Sequence, residues 1–171
     1  MWPVPGFTRV TSGFRTTERP NHNGIDIGRN ISPYESIYGK EIVAVADGYV
    51  TIVQDNHESF GNWVQITHNP LLRTRYAHNL KNLVKHGQFV SQGDVIALVG
   101  STGRSTAPHL HFEVIYDGQH QDPLQFLNPA RKVPVGAAVE MPVISYLANH
   151  QAPGTGSSFF SRFIRRLLSR V

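Results

Sequence analysis

Two histidines one residue apart, His109 and His111, carry the strongest chemical signal in the sequence. Apolar and polar residues alternate from Leu110 onwards, which predicts a half-buried β-strand. Residues i and i+2 of a strand face the same side, roughly 6.6 Å apart along the backbone. Both imidazoles should therefore leave one face together, while Leu110, Phe112 and Val114 enter a core. Two such imidazoles can bind one metal ion, or one can bind it while the other acts beside the open coordination position.

A second pair of candidate ligands, His22 and Asp26, lies far upstream in a loop that leads into a short predicted strand. We expect Gly24 to remove a side chain where the chain must bend so that both ligands converge. With the His-x-His pair, these residues give the two-histidine, one-carboxylate set of catalytic metal sites. The same donors suit Fe(II) oxygenases, but that alternative leaves one imidazole idle and has the motifs in the wrong order. Glu113 is either hydrogen-bonded to a ligand histidine or exposed on its strand.

His78 ends a third alternating run, in which Thr74, Tyr76 and His78 are predicted to share one face. A histidine at a strand end can accept a proton from a metal-bound water or donate to a carbonyl oxyanion. We interpret His68, which ends a strand, as structural. The histidines in polar loops are interpreted as ordinary surface or core imidazoles: His57, His86, His120 and His150.

The elements that must position these side chains are short strands. The 15 glycines and 11 prolines punctuate short apolar runs, and no segment before residue 130 has helical periodicity, so we predict an all-β protein. The clearest pattern is a hairpin over Glu41–Val53 that turns at Asp47 and Gly48. The other predicted strands lie within Phe7–Phe14, Gly24–Gly28, Gly61–His68, Arg73–His78, Asp94–Val99 and Leu110–Tyr116.

Composition and charge narrow the function classes. The sequence has no cysteine, which excludes a disulfide framework and a thiolate metal site. The net charge of +4 comes from residues 157–171, which hold four arginines and no acid. The rest of the chain has 12 basic and 12 acidic residues, so its body is formally neutral and does not match a nucleic-acid-binding surface.

The C-terminal region is predicted to be a linker followed by an amphipathic helix. Residues 131–158 contain a Pro- and Gly-rich stretch typical of flexible linkers, and residues 159–171 have apolar side chains at helical spacing with arginines on the other side. The sequence therefore predicts a domain over 1–130, an extension and linker over 131–158, and a cationic helix over 159–171. The helix either packs on its own domain or a partner, or contacts an anionic membrane or envelope surface.

Several motifs together carry a family resemblance: Trp2–Pro5, Thr11–Phe14, His22–Ile27, Val43–Val50, Tyr76–His78, Gly87–Ile96, Gly100–Gly103 and His109–Glu113. Through them the sequence resembles the lysostaphin-like zinc endopeptidases, which cut the peptide part of bacterial cell walls. The resemblance covers most of residues 2–127, with all motifs in the family's order. Ala107 stands where glycine is usual, and the loop 30–40 and the turn 69–73 are longer than is common. Both segments form walls of the substrate groove in the family, so their greater length is expected to affect which substrate is preferred.

The resemblance implies an antiparallel β-sheet core whose loops wall a substrate groove. It implies that His22, Asp26 and His111 bind one zinc ion, and that His78 and His109 flank its open position as catalytic histidines. We expect His109 to take the proton of the attacking water and His78 to hydrogen-bond the oxyanion, or the two roles to be exchanged.

The expected function is a zinc-dependent endopeptidase that hydrolyses peptide crosslinks or stem peptides of peptidoglycan. D-Ala-centred crosslinks are favoured because they are common substrates in the family. The alternative is a catalytically inactive wall-binding or regulatory module on the same fold. The N-terminus lacks the pattern of a signal peptide, and no run of about 20 apolar residues predicts a membrane span. We therefore expect a phage lytic or tail-associated enzyme, virion-borne or holin-released, or a fragment of a larger secreted protein.

Overall fold

Ten strands in a single sheet are the main regular secondary structure in the part of the chain that the structure describes. The structure, a computed structural model, describes residues 1–32 and 34–127. The strands are β1 (Val10–Ser12), β2 (Ile25–Ile27), β3 (Glu41–Val43), β4 (Gly48–His57), β5 (Gly61–Thr67), β6 (Leu72–Asn82), β7 (Phe89–Val90), β8 (Val95–Val99), β9 (Leu110–Tyr116) and β10 (Gln119–Gln121), and one short helix, α1, spans Leu124–Leu127. No helix among these residues is long and apolar enough to cross a lipid bilayer. The linker and helix predicted over 131–158 and 159–171 lie outside the described residues.

The strands follow the order β1-β2-β9-β6-β5-β4-β7, with β10 beside β9 and β8 beside both β3 and β6. All of these pairings are antiparallel. The prediction of an all-β fold with an antiparallel core is therefore confirmed. Because β9 lies between β2 and β6, residues that are far apart in the sequence become neighbours on these three strands.

The core lies on the face of β9 that carries Leu110, Phe112 and Val114, as their spacing predicts. Leu110 and Phe112 are fully buried, and Val114 is 1% exposed. Phe112 packs against Tyr76 of β6, with ring centroids 5.2 Å apart. Burying an apolar side chain of this kind contributes about 1.5–3 kcal/mol, so this face anchors β9 in the sheet.

The opposite face of β9 is also buried, whereas the sequence predicts a half-buried strand. His111 and Glu113 on that face are 6% and 2% exposed. Buried polar groups must be hydrogen-bonded to be tolerated, and these two side chains hydrogen-bond to each other. The polar residues of the alternating pattern therefore form a second buried layer.

The hairpin predicted over Glu41–Val53 does not form. β3 pairs with β8, whereas β4 pairs with β5 and β7. A two-residue type I′ turn requires positive φ at both central residues, and neither Asp47 nor Gly48 has one. Gly48 is needed for close packing, because a Cβ atom there would lie 2.7 Å from the carbonyl oxygen of Thr67.

Two other predicted turns are found. Asn69 turns the chain between β5 and β6, and its side chain accepts a hydrogen bond from the backbone N–H of Leu72 at 2.9 Å. Asp117 and Gly118 connect β9 to β10 with φ angles of 48° and 73°. Both angles are positive, as a type I′ turn requires.

Candidate metal centre

The register between β2 and β9 makes Asp26 and His111 direct cross-strand partners. His22 joins them from the loop that precedes β2. One ligand atom from each of the three residues lies within 4.8 Å of the other two, and all three residues are buried. Asp26 and His111 are 85 positions apart in the sequence, so the cluster depends on the adjacency of β2 and β9.

The spacing of the three ligand atoms fits a tetrahedral metal ion. Nε2 of His22 lies 2.9 Å from Oδ1 of Asp26 and 3.1 Å from Nδ1 of His111. That Nδ1 lies 2.9 Å from the same Oδ1. Metal–ligand bonds of about 2.0 Å in a tetrahedron give ligand separations of about 3.3 Å. Two imidazoles and one carboxylate are also a donor set that suits zinc.

The outer nitrogen of each ligand imidazole is held by an oxygen acceptor. Nδ1–H of His22 donates to the backbone carbonyl of Gly13 at 2.7 Å, and Nε2–H of His111 donates to Oε1 of Glu113 at 3.1 Å. In each neutral ring the other nitrogen therefore carries the lone pair. Both lone pairs lie on the side of the rings that faces Asp26.

Arg19 holds Asp26, the third candidate ligand, in place. Its Nη1 donates to Oδ2 of Asp26 at 2.7 Å and to the hydroxyl of Ser12 at 2.8 Å. Because Arg19 occupies Oδ2, the free oxygen Oδ1 is the one that faces the two imidazoles. Sequence reasoning missed Arg19, since an arginine in a polar loop has no spacing that distinguishes it from a solvated surface residue.

The ionisable side chains of the cluster shift one another's pKa values. Burial acts to raise the pKa of Asp26, but hydrogen bonds from His111 and His22 outweigh it and hold that pKa far below its ordinary value. Burial opposes the charged form of His111, yet hydrogen bonds to Asp26 and Glu113 favour it and raise its pKa. A metal ion at this site therefore competes with a proton for Nδ1 of His111.

Two further imidazoles, those of His78 and His109, lie next to the ligand cluster. Their ring centroids are 4.8 Å apart, and the His78 centroid lies 5.9 Å from that of His111. Nε2 of His109 lies 3.7 Å from Oδ1 of Asp26. The fold thus brings all five predicted site residues together.

One loop, residues 100–107, holds both of these imidazoles. Nδ1–H of His78 donates to the carbonyl of Thr102 at 2.8 Å, and Nδ1–H of His109 donates to the carbonyl of Ala107 at 2.7 Å. In both neutral rings Nε2 therefore carries the lone pair. Nε2 is the atom that each ring offers to a reacting group.

His78 does not share the face of Thr74 and Tyr76, so that prediction is wrong. Thr74 and Tyr76 are buried on the core side, and strict alternation would place His78 there too. The φ angle of His78 is instead +64°, and the pairing of β5 with β6 shifts register between Asn62 and Val64. This is a β-bulge, which can redirect a side chain, and His78 lies beside the candidate metal ligands because of it.

The environment of His78 keeps its ring neutral. Burial lowers its pKa to about 4, the charges of His109 and His111 act in the same direction, and the hydrogen bond to Thr102 opposes them. At neutral pH His78 is therefore a hydrogen-bond acceptor at Nε2.

Gly24 lies at a bend of the chain, as the sequence predicts, and it is also required for close packing. Its φ is not positive. A Cβ atom there would collide with the backbone carbonyl of Phe112 and would lie 3.0 Å from Cγ of Glu113 and from Cε1 of His111. The glycine thus allows the loop that carries His22 to lie directly against β9.

Glu113 is a buried carboxylate behind His111 and is not exposed on its strand. Its Oε2 lies 2.8 Å from Nη1 of Arg75 and 3.3 Å from Nε2 of His120. Burial acts to raise the pKa of Glu113, but the hydrogen bond from His111 and the charge of Arg75 lower it, so the carboxylate is ionised.

His120 lies in β10, whereas the sequence places it in a polar loop. Arg75 was missed, because an arginine on an alternating strand normally faces solvent.

Two other histidines have structural contacts. Nδ1 of His57 accepts hydrogen bonds from two backbone N–H groups of the following turn, at 3.2 and 3.0 Å. Nδ1–H of His68 donates to the carbonyl of Asp47 at 2.8 Å, which agrees with the structural role predicted for it. His150 lies outside the described residues.

Comparison with known sequences gives one family and several relatives. The model of peptidase family M23 matches residues 20–123. The peptidoglycan DD-endopeptidase ShyB of Vibrio cholerae is 37% identical over 132 residues, which cover 77% of this chain and 31% of that protein. The murein hydrolase activator NlpD of Escherichia coli is 38% identical over 126 residues, covering 74% of this chain and 30% of that protein. The chain thus spans about a third of the length of these curated relatives.

Solved structures share the fold. A zinc-containing peptidase from Vibrio cholerae is 39% identical with a TM-score of 0.60, covering 71% of this chain and 37% of that one. The antimicrobial peptidase lysostaphin from Staphylococcus simulans is 29% identical with a TM-score of 0.62, covering 86% of this chain and 56% of that one. The resemblance to the lysostaphin-like endopeptidases is therefore confirmed.

Proposed function

The chain belongs to peptidase family M23, and we propose that it is an active zinc-dependent endopeptidase that hydrolyses peptide bonds of bacterial peptidoglycan. The observation that carries this proposal is the convergence of three ligand atoms, from His22, Asp26 and His111. Structural zinc sites are closed by four protein ligands, whereas catalytic sites keep three and one open position. Two imidazoles, those of His78 and His109, lie beside the three ligands here.

The residues that would hold the zinc ion are His22 through Nε2, His111 through Nδ1 and Asp26 through Oδ1. Zinc bound there would polarise the substrate carbonyl and lower the pKa of a coordinated water to about 7. Both ligand imidazoles must be unprotonated to bind. Activity should therefore fall in acid, where protons compete for His111.

Of the two histidines beside the ligands, we propose His109 and not His78 as the acceptor of the proton from the attacking water. Its Nε2 carries the lone pair, because Nδ1–H donates to the carbonyl of Ala107, and its side chain is 17% exposed, more than those of the ligands. In this role His109 takes a proton from the attacking water and later delivers it to the leaving amine.

His78 is proposed to orient the attacking water as a neutral acceptor at Nε2. Donation from Nε2 to an oxyanion would require the protonated ring, and burial opposes that form at neutral pH. Because the hydrogen bond to Thr102 leaves the lone pair on Nε2, we favour a role for His78 in positioning the attacking water. The oxyanion contact expected from the sequence is less favoured.

We propose that the bond cut is a D-Ala-centred crosslink, which is in keeping with the name of the relative ShyB, a DD-endopeptidase. The test is digestion of peptidoglycan of defined chemistry by the zinc-loaded chain, with new termini identified by mass spectrometry. Crosslinked dimers should disappear and new D-Ala carboxyl termini should appear. His111→Ala is the matched control. New termini within crossbridges or stem peptides instead would contradict this choice of bond.

The second candidate function is regulation, favoured by the 38% identity to a murein hydrolase activator. An activator that binds without hydrolysing has no use for three converging ligand atoms and two supported imidazoles. Absence of turnover on every wall type, together with stimulation of a separate hydrolase, would favour this candidate over the endopeptidase.

Contact with an anionic envelope surface through residues 159–171 is a further proposal, supported by the charge pattern of the sequence. Deleting 157–171 should leave cleavage of small soluble substrates unchanged and weaken action on intact envelopes or anionic vesicles. Equal activity of the full and truncated chains on intact envelopes would count against it. Origin from a phage lytic or tail-associated protein also stays a prediction from the sequence.

A further inference from the structure

Arg75 is a partly buried cation behind the ligand His111, and the proposed mechanism does not use it. Its guanidinium carbon lies 4.9 Å from the ring centre of Phe60 and 4.8 Å from that of Trp63. Its Nη1 donates to Oε2 of Glu113 at 2.8 Å. A planar guanidinium that lies against two aromatic rings and is hydrogen-bonded to a carboxylate is held in one orientation.

The two oxygens of Glu113 divide between Arg75 and the ligand. Oε1 accepts from Nε2–H of His111 at 3.1 Å, and Oε2 accepts from Arg75 at 2.8 Å. The sheet sets this order, because Arg75 and Ala77 of β6 are the direct partners of Glu113 and His111 of β9. The contacts therefore run in a line from Arg75 through Glu113 to the ligand ring.

The carboxylate needs this cation. An ionised carboxylate that is 3% exposed is unfavourable unless it is paired. Without Arg75, the Glu113 carboxylate would rotate toward another donor such as His120, whose Nε2 lies 3.3 Å from Oε2. That rotation weakens the contact that keeps the proton of His111 on Nε2 and leaves Nδ1 free for a metal.

We propose that Arg75 is a positioning residue for His111, acting through Glu113. This inference rests on the proposed function only in taking His111 as a zinc ligand. Arg73 provides a matched control, because it lies two residues earlier on the same strand, is exposed, and has no carboxylate partner among the described residues.

The test measures zinc affinity of the full chain by competition with a chromogenic chelator, and the visible spectrum of the Co(II)-substituted protein. Arg75→Gln should weaken zinc binding by about 10- to 100-fold, as loss of an outer partner of a metal ligand does, and should shift the Co(II) bands. Arg73→Gln should match wild type in both. Wild-type affinity and an unchanged spectrum in Arg75→Gln would overturn the proposal.

A double-mutant cycle tests the route through Glu113. Glu113→Gln alone should weaken zinc binding to a similar degree, and adding Arg75→Gln to it should change the affinity by less than about two-fold. If the two substitutions reduce zinc affinity independently, so that their fold-changes multiply in the double variant, Arg75 does not act through Glu113. Should Arg75→Gln fail to fold, Arg75→Met replaces it, because methionine keeps an apolar side chain against Phe60 and Trp63 and removes the cation. A folded Arg75→Met protein with wild-type zinc affinity would also overturn the proposal. A wild-type chain that binds no zinc would contradict the proposed function instead.

Discussion

Nε2 of His22 and Nδ1 of His111 lie 3.1 Å apart, although the two residues are separated by 89 positions in the sequence. The outer nitrogen of each ring donates to an oxygen, in one case to Gly13 and in the other to Glu113. The two facing atoms are therefore lone-pair acceptors in the neutral rings. Two such atoms repel each other unless a proton or a metal cation lies between them.

Replacing either ligand should therefore remove zinc and hydrolysis together. His22→Ala and His111→Ala should each weaken zinc binding by more than about 100-fold, since loss of an outer partner alone reaches that range. The measurement is metal content after gel filtration, with hydrolysis of peptidoglycan followed in parallel. Exposed His86→Ala is the control and should keep both. A His111→Ala protein that retains stoichiometric zinc and activity would contradict the assignment.

His109→Ala should keep zinc binding and lose hydrolysis of the peptide bond. The ring lies beside the ligands without being one of them, so zinc content should stay at one equivalent per chain. Loss of a general acid–base group lowers the rate by about 10²- to 10⁴-fold. Single-turnover assays on muropeptide dimers measure this loss. Hydrolysis at the wild-type rate would remove His109 from the mechanism.

The zinc-free protein should lose stability as the pH falls from 6.5 toward 4. The pKa of His78 is about 4 in the folded chain and 6.5 in the unfolded one, so the unfolded chain binds the extra proton in this window. The loss should be on the order of 1 to 2 kcal/mol. Urea unfolding at pH 6, 5.5 and 5 measures it, because the raised pKa of His111 gives a slope of the opposite sign above pH 6.5.

His78→Asn tests the source of that pH dependence, because asparagine does not titrate and tolerates positive φ. Its stability should change less with pH than that of wild type. Burial also lowers the pKa of His68, so a residual slope of the same sign should remain. A slope identical to that of wild type would show that His78 is not the group responsible.

Gly24→Ala should damage both stability and metal binding. The added Cβ would meet the backbone of Phe112 and the Cε1 atom of His111, and overpacking of this kind costs about 1–3 kcal/mol. Thermal unfolding and zinc titration measure the two effects. Gly87→Ala is the control: its φ is +80° and nothing lies near its Cβ, so it should lose stability through backbone strain and keep zinc affinity. Normal zinc binding in Gly24→Ala would contradict the close approach.

Local spacing indicates the candidate ligands, because the His-x-His pair lies on one predicted strand and His22 and Asp26 lie close together far upstream. Spacing does not decide which imidazole of the pair binds the metal, and the family resemblance selects His22, Asp26 and His111. The supporting residues could not be predicted in this way. Arg19 and Arg75 act through contacts between segments far apart in the chain, and no local pattern distinguishes them from solvated arginines.

The errors in the predicted elements have a common physical cause. The hairpin over Glu41–Val53 and the face of His78 were inferred from local turn and alternation rules. Both rules fail where tertiary packing decides, in one case because β3 pairs with β8 and in the other because a bulge interrupts β6. The local rules held where the turn residues adopt the required angles, as at Asp117 and Gly118.

The left-handed backbone of His78 gives this position a diagnostic value in evolution. A side chain other than glycine or asparagine there is strained by roughly 1 kcal/mol or more, so the fold by itself would prefer one of those two residues. A copy of this domain retained only for adhesion or signalling would be free to make that exchange and become more stable. The presence of histidine at this strained site supports the proposed use of its imidazole in hydrolysis.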